Sequence, residues 1–596
     1  MTESFNPRYT DLVTMFRDSV ERFADRPLYG VRKSDGWTWY TYKQAGEMVD
    51  AFRAALAGLG VGRGDRVACV SNNRLEWVIA CNAVESLGAT WVPMYENQHE
   101  KEQKYILTDS GAKVCLAGSA GAEKTVRALQ AEVPGLKEVI GFSDESEGGF
   151  WKRLEAGKAH PVPPVRPDGK DVYSIVYTSG TTGTPKGVRL THESLAKGIE
   201  AAKMVIPFVP DDRSVSFLPW AHVFGGHLEL NTLMSIGASM AICESPDKLL
   251  EMVAEVKPTL LVAVPRVWNR IHSVVQKSIA EQPAPLRWIF ASAMRAASKE
   301  RRGERAGVLD KAALAIARKM IFAKVVAKFG GRLKYAVSGA AALSREVAEF
   351  VDTLGINVFE GYAMTETGGV GTINMPRAKR IGSVGKAVPG VRIELDKTAV
   401  GGDAEQGEIV ILGHCIMDGY HNHPDETKAA LTPEGGLRTG DLGKFDADGF
   451  LYVTGRVKEL YKLENGKYIA PAPLEEQLTL SPYIAQAMIY GSNRPHNVAI
   501  LVPDVAALRD WARANHVPHD DVAKLLEDER VKKLIAGELE KHSAEWKGFE
   551  RIRNFALLSE EFSTTNDMLT PTLKVKRRNI LKRYGDRIDS LYGAKS

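Results

Sequence analysis

Apolar positions in the first 120 residues fall into two textures. RVACVSNN, ATWVPM and AKVCLAG are short strand-like runs, whereas RLEWVIACNAVESLG and KEQKYILTDSG between them have helical length and spacing. Such alternation predicts βα units on a mostly parallel sheet. It recurs at SVSFLPW, ASMAICES, PTLLVAVP and LKYAVSGA, so a large α/β domain is expected. Residues 284–306, APLRWIFASAMRAASKERRGERA, predict an amphipathic helix ending in a basic run. A surface helix with a solvated charged end is its plainest meaning, and a membrane-surface role the lesser one.

From Gly385 the pattern changes to short β segments with turns, VRIEL, GEIVILG and FDADGFLYVTGR, which predict a β-rich subdomain. The DxDG at 446–449 is read as a hairpin turn, because Lys444 stands where a calcium loop needs its first Asp. After Gly455, helical patterns (LEEQLTL, VAKLLEDERVKKLIAGELEKH) mix with strands (IAQAMIYG, NVAILVPD, RIRNFALLS) and predict a separate α+β domain. The expected division is 1–457 and 458–596.

Composition narrows the classes of function. At 596 residues the chain exceeds what one growing core supports, so at least two domains are required. Its 78 basic and 74 acidic residues leave a net +4, which argues against a nucleic-acid binder driven by phosphate contacts. Five scattered cysteines, never in a CxxC pair, fit reduced thiols in a cytoplasmic compartment. No apolar run approaches the ~18 residues needed to span a bilayer, and the start MTESFNPRYTDL has no signal-peptide pattern. A cytoplasmic protein is expected, with room for peripheral contact at the inner face of a membrane.

Candidate chemistry concentrates in residues 177–192, YTSGTTGTPKGVRLTH. A Walker loop requires Gly-Lys-Ser/Thr, but here Pro185 precedes Lys186 and Gly187 follows it, so that motif fails. Three glycines, five hydroxyls (Thr178, Ser179, Thr181, Thr182, Thr184) and one cation nevertheless suit a phosphate. On composition alone, a surface loop is the commoner meaning of such a cluster.

The ordered string YTSGTTGTPKGV resembles the phosphate loop of the adenylate-forming superfamily of acyl-CoA synthetases, luciferases and peptide-synthetase adenylation domains. GYAMTETGG (361–369), RTGDLG (438–443), GRVKELYK (455–462) and TPTLKVKR follow in the family's order. PTLLVAVPRVWNRI, LENGKYIAPAPLEEQL and MLTPTLKVKRRNI most resemble long-chain fatty acyl-CoA synthetases.

That resemblance implies a large N-terminal adenylation domain and a small mobile C-terminal domain pivoting at Lys458. It also implies ATP, Mg2+ and CoA, with a long-chain fatty acid as the second substrate. Thr178, Ser179, Gly180, Thr181, Thr182, Gly183, Thr184 and Lys186 would hold the β- and γ-phosphates, Thr365 the α-phosphate and Glu366 the metal. Tyr362 would stack on adenine, with Gly339, Ala340 and Ala341 opposite and Glu360, Gly361 and Ala363 alongside. Asp441 would take the ribose hydroxyls, and Arg456 would reach the nucleotide. Lys574 would bridge the carboxylate and the α-phosphate, although Leu573 precedes it where many relatives have Gly, which keeps Lys576 as a competitor. Trp220, His222 and Gly225 would gate the acyl tunnel; Lys462, Gly466 and Tyr468 would serve the CoA side. His421, His423 and Glu426, near His414 and Cys415, match no zinc spacing. An acyl-AMP ligase serving a carrier protein and an inactive lipid-binding scaffold are the alternatives. Either a monomer or a homodimer fits.

Overall fold

The computed structural model describes residues 5–143, 148–178, 184–400, 405–570 and 574–593. They divide into two compact units. One comprises Met1–Glu394, Val410–Thr439 and Asp446–Leu451; the other comprises Leu395–Ile409, Gly440–Phe445 and Tyr452–Ser596.

The first unit is built on three sheets. A seven-stranded sheet runs in the order Gly419–Tyr420, Lys186–Thr191, Val172–Thr178, Thr90–Met94, Arg66–Val70, Val114–Ala117, Glu138–Gly141. The last five are mutually parallel, as the alternating pattern predicts. Lys186–Thr191 runs antiparallel to both its neighbours, Val172–Thr178 and Gly419–Tyr420. Only residues 179–185 separate Thr178 from Lys186, whereas a parallel return needs a dozen or more, so the phosphate-friendly loop closes a hairpin.

The second sheet pairs Pro27–Lys33 and Gly36–Thr41 with Ser239–Ile242 and Arg213–Ser216. In the third, Leu260–Ala263, Tyr335–Ser338 and Asn357–Tyr362 are parallel, in a register that sets Ala263, Ser338 and Glu360 in one row at their C-terminal ends. Ligand crevices in open α/β sheets form at such ends. Large side chains fill the interior, with Trp77 lying 5.1 Å from Trp91 and 5.5 Å from Trp220 between ring centroids.

In the second unit, Ile484–Tyr490, Asn497–Pro503 and Ile552–Leu557 form a mixed sheet. Alternate residues face opposite ways: Ile489, Ala499 and Leu501 enter one core, and Met488, Val498 and Ile500 another. Both faces are therefore covered. The segment VAKLLEDERVKKLIAGELEKH, read as one helix, is two, Val522–Glu527 and Glu529–His542. Asp528 lies in the extended region (ψ 127°) and its carboxylate accepts from the Arg530 amide, so it stops one helix and caps the next. Likewise the helix expected over 284–306 ends at Arg301, and Gly303, at φ +72°, turns the chain into a further helix, Val308–Ala317.

Candidate active site

Ser179, Gly180, Thr181, Thr182 and Gly183 lie outside the described residues. Their flanks are placed. Thr178 and Lys186 are register partners, and the Thr178 hydroxyl donates to the Lys186 carbonyl at 3.4 Å. Thr184 is exposed, two residues before the return strand. Gly187 must be glycine, since a Cβ there would stand 2.7 Å from the Ile175 side chain.

The short strand Gly419–Tyr420 pairs with the return strand and carries a residue that joins two motifs. The Tyr420 hydroxyl donates to Glu366 Oε1 at 2.8 Å, and the Lys186 ammonium lies 5.2 Å from the centre of the Tyr420 ring. Backbone bonds lock the arrangement: the Met417 amide donates to the Glu366 carbonyl (2.8 Å) and the His421 amide to the Gly187 carbonyl (2.7 Å). Loop lysine and TET glutamate thereby meet one phenol, the lysine at its ring and the glutamate at its hydroxyl. Burial and the Glu366 carboxylate both hold the Tyr420 hydroxyl in its protonated, donating form. Thr365 and Glu366 sit in a single 3-10 turn and are both buried.

Around the expected adenine slot, a Cβ on Gly339 would lie 3.3 Å from the Phe224 ring and 3.7 Å from the Gly361 carbonyl, so the SGAA and EGY segments do meet. Ala340 is left-handed at φ +69°, a strained conformation for an alanine of the kind that concentrates at ligand sites. Ala340 and Ala341 are exposed, whereas Gly361, Tyr362 and Ala363 are half-buried. The buried Ser338 hydroxyl beside them has no partner among the described residues. Glu360 does more than lend backbone: its carboxylate accepts from the Leu343 amide at 2.9 Å, and burial pushes its pKa up to about 7.

Next to this slot is the π-turn Val223–Glu229, a rare form that concentrates at functional sites. Gly225 and Gly226 allow it, because a Cβ on Gly225 would come within 2.8 Å of the Leu218 carbonyl and one on Gly226 would collide with the Trp220 carbonyl. Trp220 is buried, its indole donating to Ser216 Oγ at 2.9 Å and its backbone amide donating to Asn73 Oδ1 at 2.8 Å. Such a side chain is a fixed wall. His222 is half-buried, and its Nδ1 accepts from the Phe224 amide at 3.3 Å.

In the second unit, Arg456 donates to Asp441 Oδ1 at 2.7 Å, so the expected ribose acceptor and the expected nucleotide arginine form an ion pair. Lys458 is exposed in the 3-10 turn Val457–Glu459. The start of LENGKYIAP turns a hairpin between Tyr461–Lys462 and Tyr468–Ile469 at Gly466 (φ +82°), with the Lys462 ammonium 5.7 Å from the Tyr468 ring centre. Lys574 is exposed, and its amide donates to Thr570 Oγ1 at 3.0 Å. Lys576 is spent on an ion pair with Asp567.

Residues 16–421 match the AMP-binding enzyme family, and residues 459–596 match the AMP-binding enzyme C-terminal domain. The chain belongs to the AMP-binding enzymes. It is 32% identical to the long-chain-fatty-acid–CoA ligase FadD15 of Mycobacterium bovis over 96% of either chain. It is 30% identical to the peroxisomal long chain acyl-CoA synthetase 7 of Arabidopsis thaliana, covering 98% of this chain and 87% of that one. Its fold matches the adenylation domain of a Mycobacterium chelonae carboxylate reductase (TM-score 0.78, 23% identity, 98% and 92% covered). A Mycobacterium tuberculosis fatty acyl CoA synthetase also matches (TM-score 0.63, 22% identity, 98% and 100% covered).

Two residues with buried or bridging contacts near the site are not singled out by the sequence. Tyr420 adjoins the HNHPDE stretch, whose histidines drew attention instead. Those histidines form no metal cluster among the described residues: His421 contacts the Asp109 carbonyl, and Pro424 opens a short helix rather than continuing a loop. The second is Glu229, buried and pushed up to about 7, accepting from Ser214 and Ser216 at 2.6 and 3.0 Å. Its position at the end of GGHLE was the only available signal.

Proposed function

We propose that this chain is a long-chain fatty acid:CoA ligase of the AMP-forming type. The observation that carries the reading is the Lys186–Tyr420–Glu366 arrangement, which sets a cation and a carboxylate where the loop hairpin meets the TET turn. A cation alone would serve any anion; with a buried carboxylate held by a phenol, the pair suits a nucleotide bound with a metal.

In the first half-reaction a carboxylate oxygen attacks the α-phosphorus of ATP and pyrophosphate leaves, giving acyl-AMP. In the second, the CoA thiol attacks the acyl carbonyl carbon, loses its proton and expels AMP. Lys186 neutralises the departing phosphates, Thr365 donates to the α-phosphate, and Lys574 offsets charge shared by the fatty carboxylate and that phosphate. Asp441, oriented by Arg456, accepts from the ribose hydroxyls. Glu366 is the hard oxygen ligand that suits Mg2+, which relies on one or two carboxylates plus phosphate oxygens, and so the lack of a three-ligand cluster among the described residues agrees with it. When bound, Mg2+ would neutralise triphosphate charge. In this proposal residues 1–457 are the adenylation part, and residues 458–596 turn about Lys458 between the half-reactions. LENGKYIAP then serves the thiol.

Cytoplasmic location with peripheral membrane contact belongs to the same reading. Its support is that all five cysteines are unpaired and buried, and that among the described residues no helix is long and apolar enough to cross a membrane.

The test is AMP release and acyl-CoA formation with free CoA, over acids from medium to very long chain. CoA-dependent product is expected, and Lys574→Ala should lower adenylation at least about a hundredfold, as removal of a transition-state charge partner does, while Lys576→Ala stays within a few fold. No CoA-dependent product with any acid would overturn the reading, and adenylate that accumulates without it would mark an acyl-AMP ligase.

A further inference from the structure

The chain's net +4 conceals a local excess. Residues 265–330 hold fourteen Lys and Arg against four Asp and Glu, a local +10 that leaves the remainder of the chain at −6. Part of that charge is neutralised: Arg295 and Lys299 face Asp310, Arg301 faces Glu349 and Asp352, and Arg302 pairs with Glu304. Lys311, Arg318, Lys319, Lys324 and Lys328 are exposed and have no carboxylate partner among the described residues.

Exposed apolar side chains gather in the same place. On the helix Val308–Ala317 and its continuation, Val308 is 84% exposed, Leu309 72%, Ile316 44% and Met320 54%; on the helix Ala284–Arg301, Trp288 is 52% exposed. Val308, Ala312, Ile316 and Met320 recur every four residues and form one outer stripe. The π-turn Arg318–Phe322 keeps the phase, leaving Met320 outside while Phe322 turns in to meet Phe290 at 6.2 Å. Ala313, Leu314 and Ala317 already supply the inward face. The outer stripe is thus surplus to the core.

We propose that this helical hairpin rests on an anionic lipid surface, with the stripe at the headgroup boundary and the lysines on lipid phosphates. The inference rests on the ligase reading, in which the acid is a membrane-partitioning molecule. The charge pattern selects the occupant. Apolar residues flanked by unneutralised Lys and Arg define an interfacial helix, and the long stems let the charges reach phosphates while the stripe inserts. A second copy of this chain meeting the same patch would set +10 against +10, which a two-fold interface disfavours. A nucleic acid would use the lysines but leave the stripe in water.

The experiment sediments the full chain with vesicles of phosphatidylcholine alone, or with about a quarter phosphatidylserine. Binding is expected to the anionic vesicles and to fall steeply with salt. Leu309→Gln/Ile316→Gln/Met320→Gln should lower partitioning by roughly a hundredfold, from lost apolar burial. Lys319→Gln and Lys324→Gln should each lower it roughly fivefold. All these positions are exposed, so acyl-CoA formation from a water-soluble medium-chain acid should stay at the wild-type level. Three outcomes overturn the proposal: equal binding to neutral vesicles, wild-type binding by the variants, or a wild-type dimer that the triple variant turns to monomer. Failure of the soluble acid to give acyl-CoA would instead count against the ligase reading, whatever the vesicles show.

Discussion

Tyr420 makes its two contacts with chemically different halves of one residue. The hydroxyl holds Glu366, and the ring faces Lys186. Tyr420→Phe keeps the ring and removes only the bond to the carboxylate, a bond to a charged group worth about 1.5–3 kcal/mol. The expected result is a drop of about tenfold or more in pyrophosphate exchange at limiting magnesium, eased as magnesium is raised, with the KM for the acid unchanged. An unaltered magnesium dependence would show that Glu366 needs no such support. The sequence could not reveal this contact, because Tyr420 and Glu366 are 54 residues apart and tyrosine in a strand is ordinarily core. The Lys574 and Lys576 ambiguity had a similar origin. Both stand in one basic run, and only the fold shows that Asp567 occupies Lys576.

The π-turn Val223–Glu229 depends on two glycines that face backbone rather than side chains. Backbone cannot step aside as a side-chain end does, so Gly226→Ala forces the turn off the 218–220 segment. A cost at or above the usual ~1–3 kcal/mol of overpacking is expected, read as a lower unfolding midpoint, together with impaired acid activation through displacement of His222 and Phe224. Full stability and activity in that variant would mean the turn tolerates a Cβ. The glycine pair is plain in LPWAHVFGGH, but the helix type it produces is not, since a π-turn differs from an α-helix by one residue of phase. The elements themselves were largely legible from apolar period. Breaks within helical runs were not, because at Asp528 the capping bond wins over continuing periodicity only once the chain is packed.

Across the whole molecule, burial sets opposing pH dependences. Glu229 and Glu360 are pushed up to about 7 and Glu85 to about 8, chiefly by desolvation. Below the ordinary value of 4.5 both folded and unfolded chains hold these protons; as pH rises toward 7 the unfolded chain releases them first, so stability falls. His192 and His227 are lowered to about 4 and about 3 by burial, so their penalty grows as pH drops from 6.5 toward 4. Stability should therefore peak on the acid side of neutrality. Glu229→Gln should lessen the loss between about pH 4.5 and pH 7 by up to about 3 kcal/mol, seen as a flatter melting profile. A profile parallel to wild type would show that Glu229 ionises freely in the folded chain. By itself the sequence determined the α/β class, through its apolar period, and the order of the motifs whose resemblance to the adenylate-forming superfamily implies their chemistry, because periodicity and ordered strings are local properties. The tertiary structure alone decided the antiparallel edge at the phosphate loop, the phenol between Lys186 and Glu366, the buried acids, and the gathering of unneutralised charge on one helical hairpin. Each of those depends on which distant residue, or none, is packed against a given side chain, and only the folded register sets that distance.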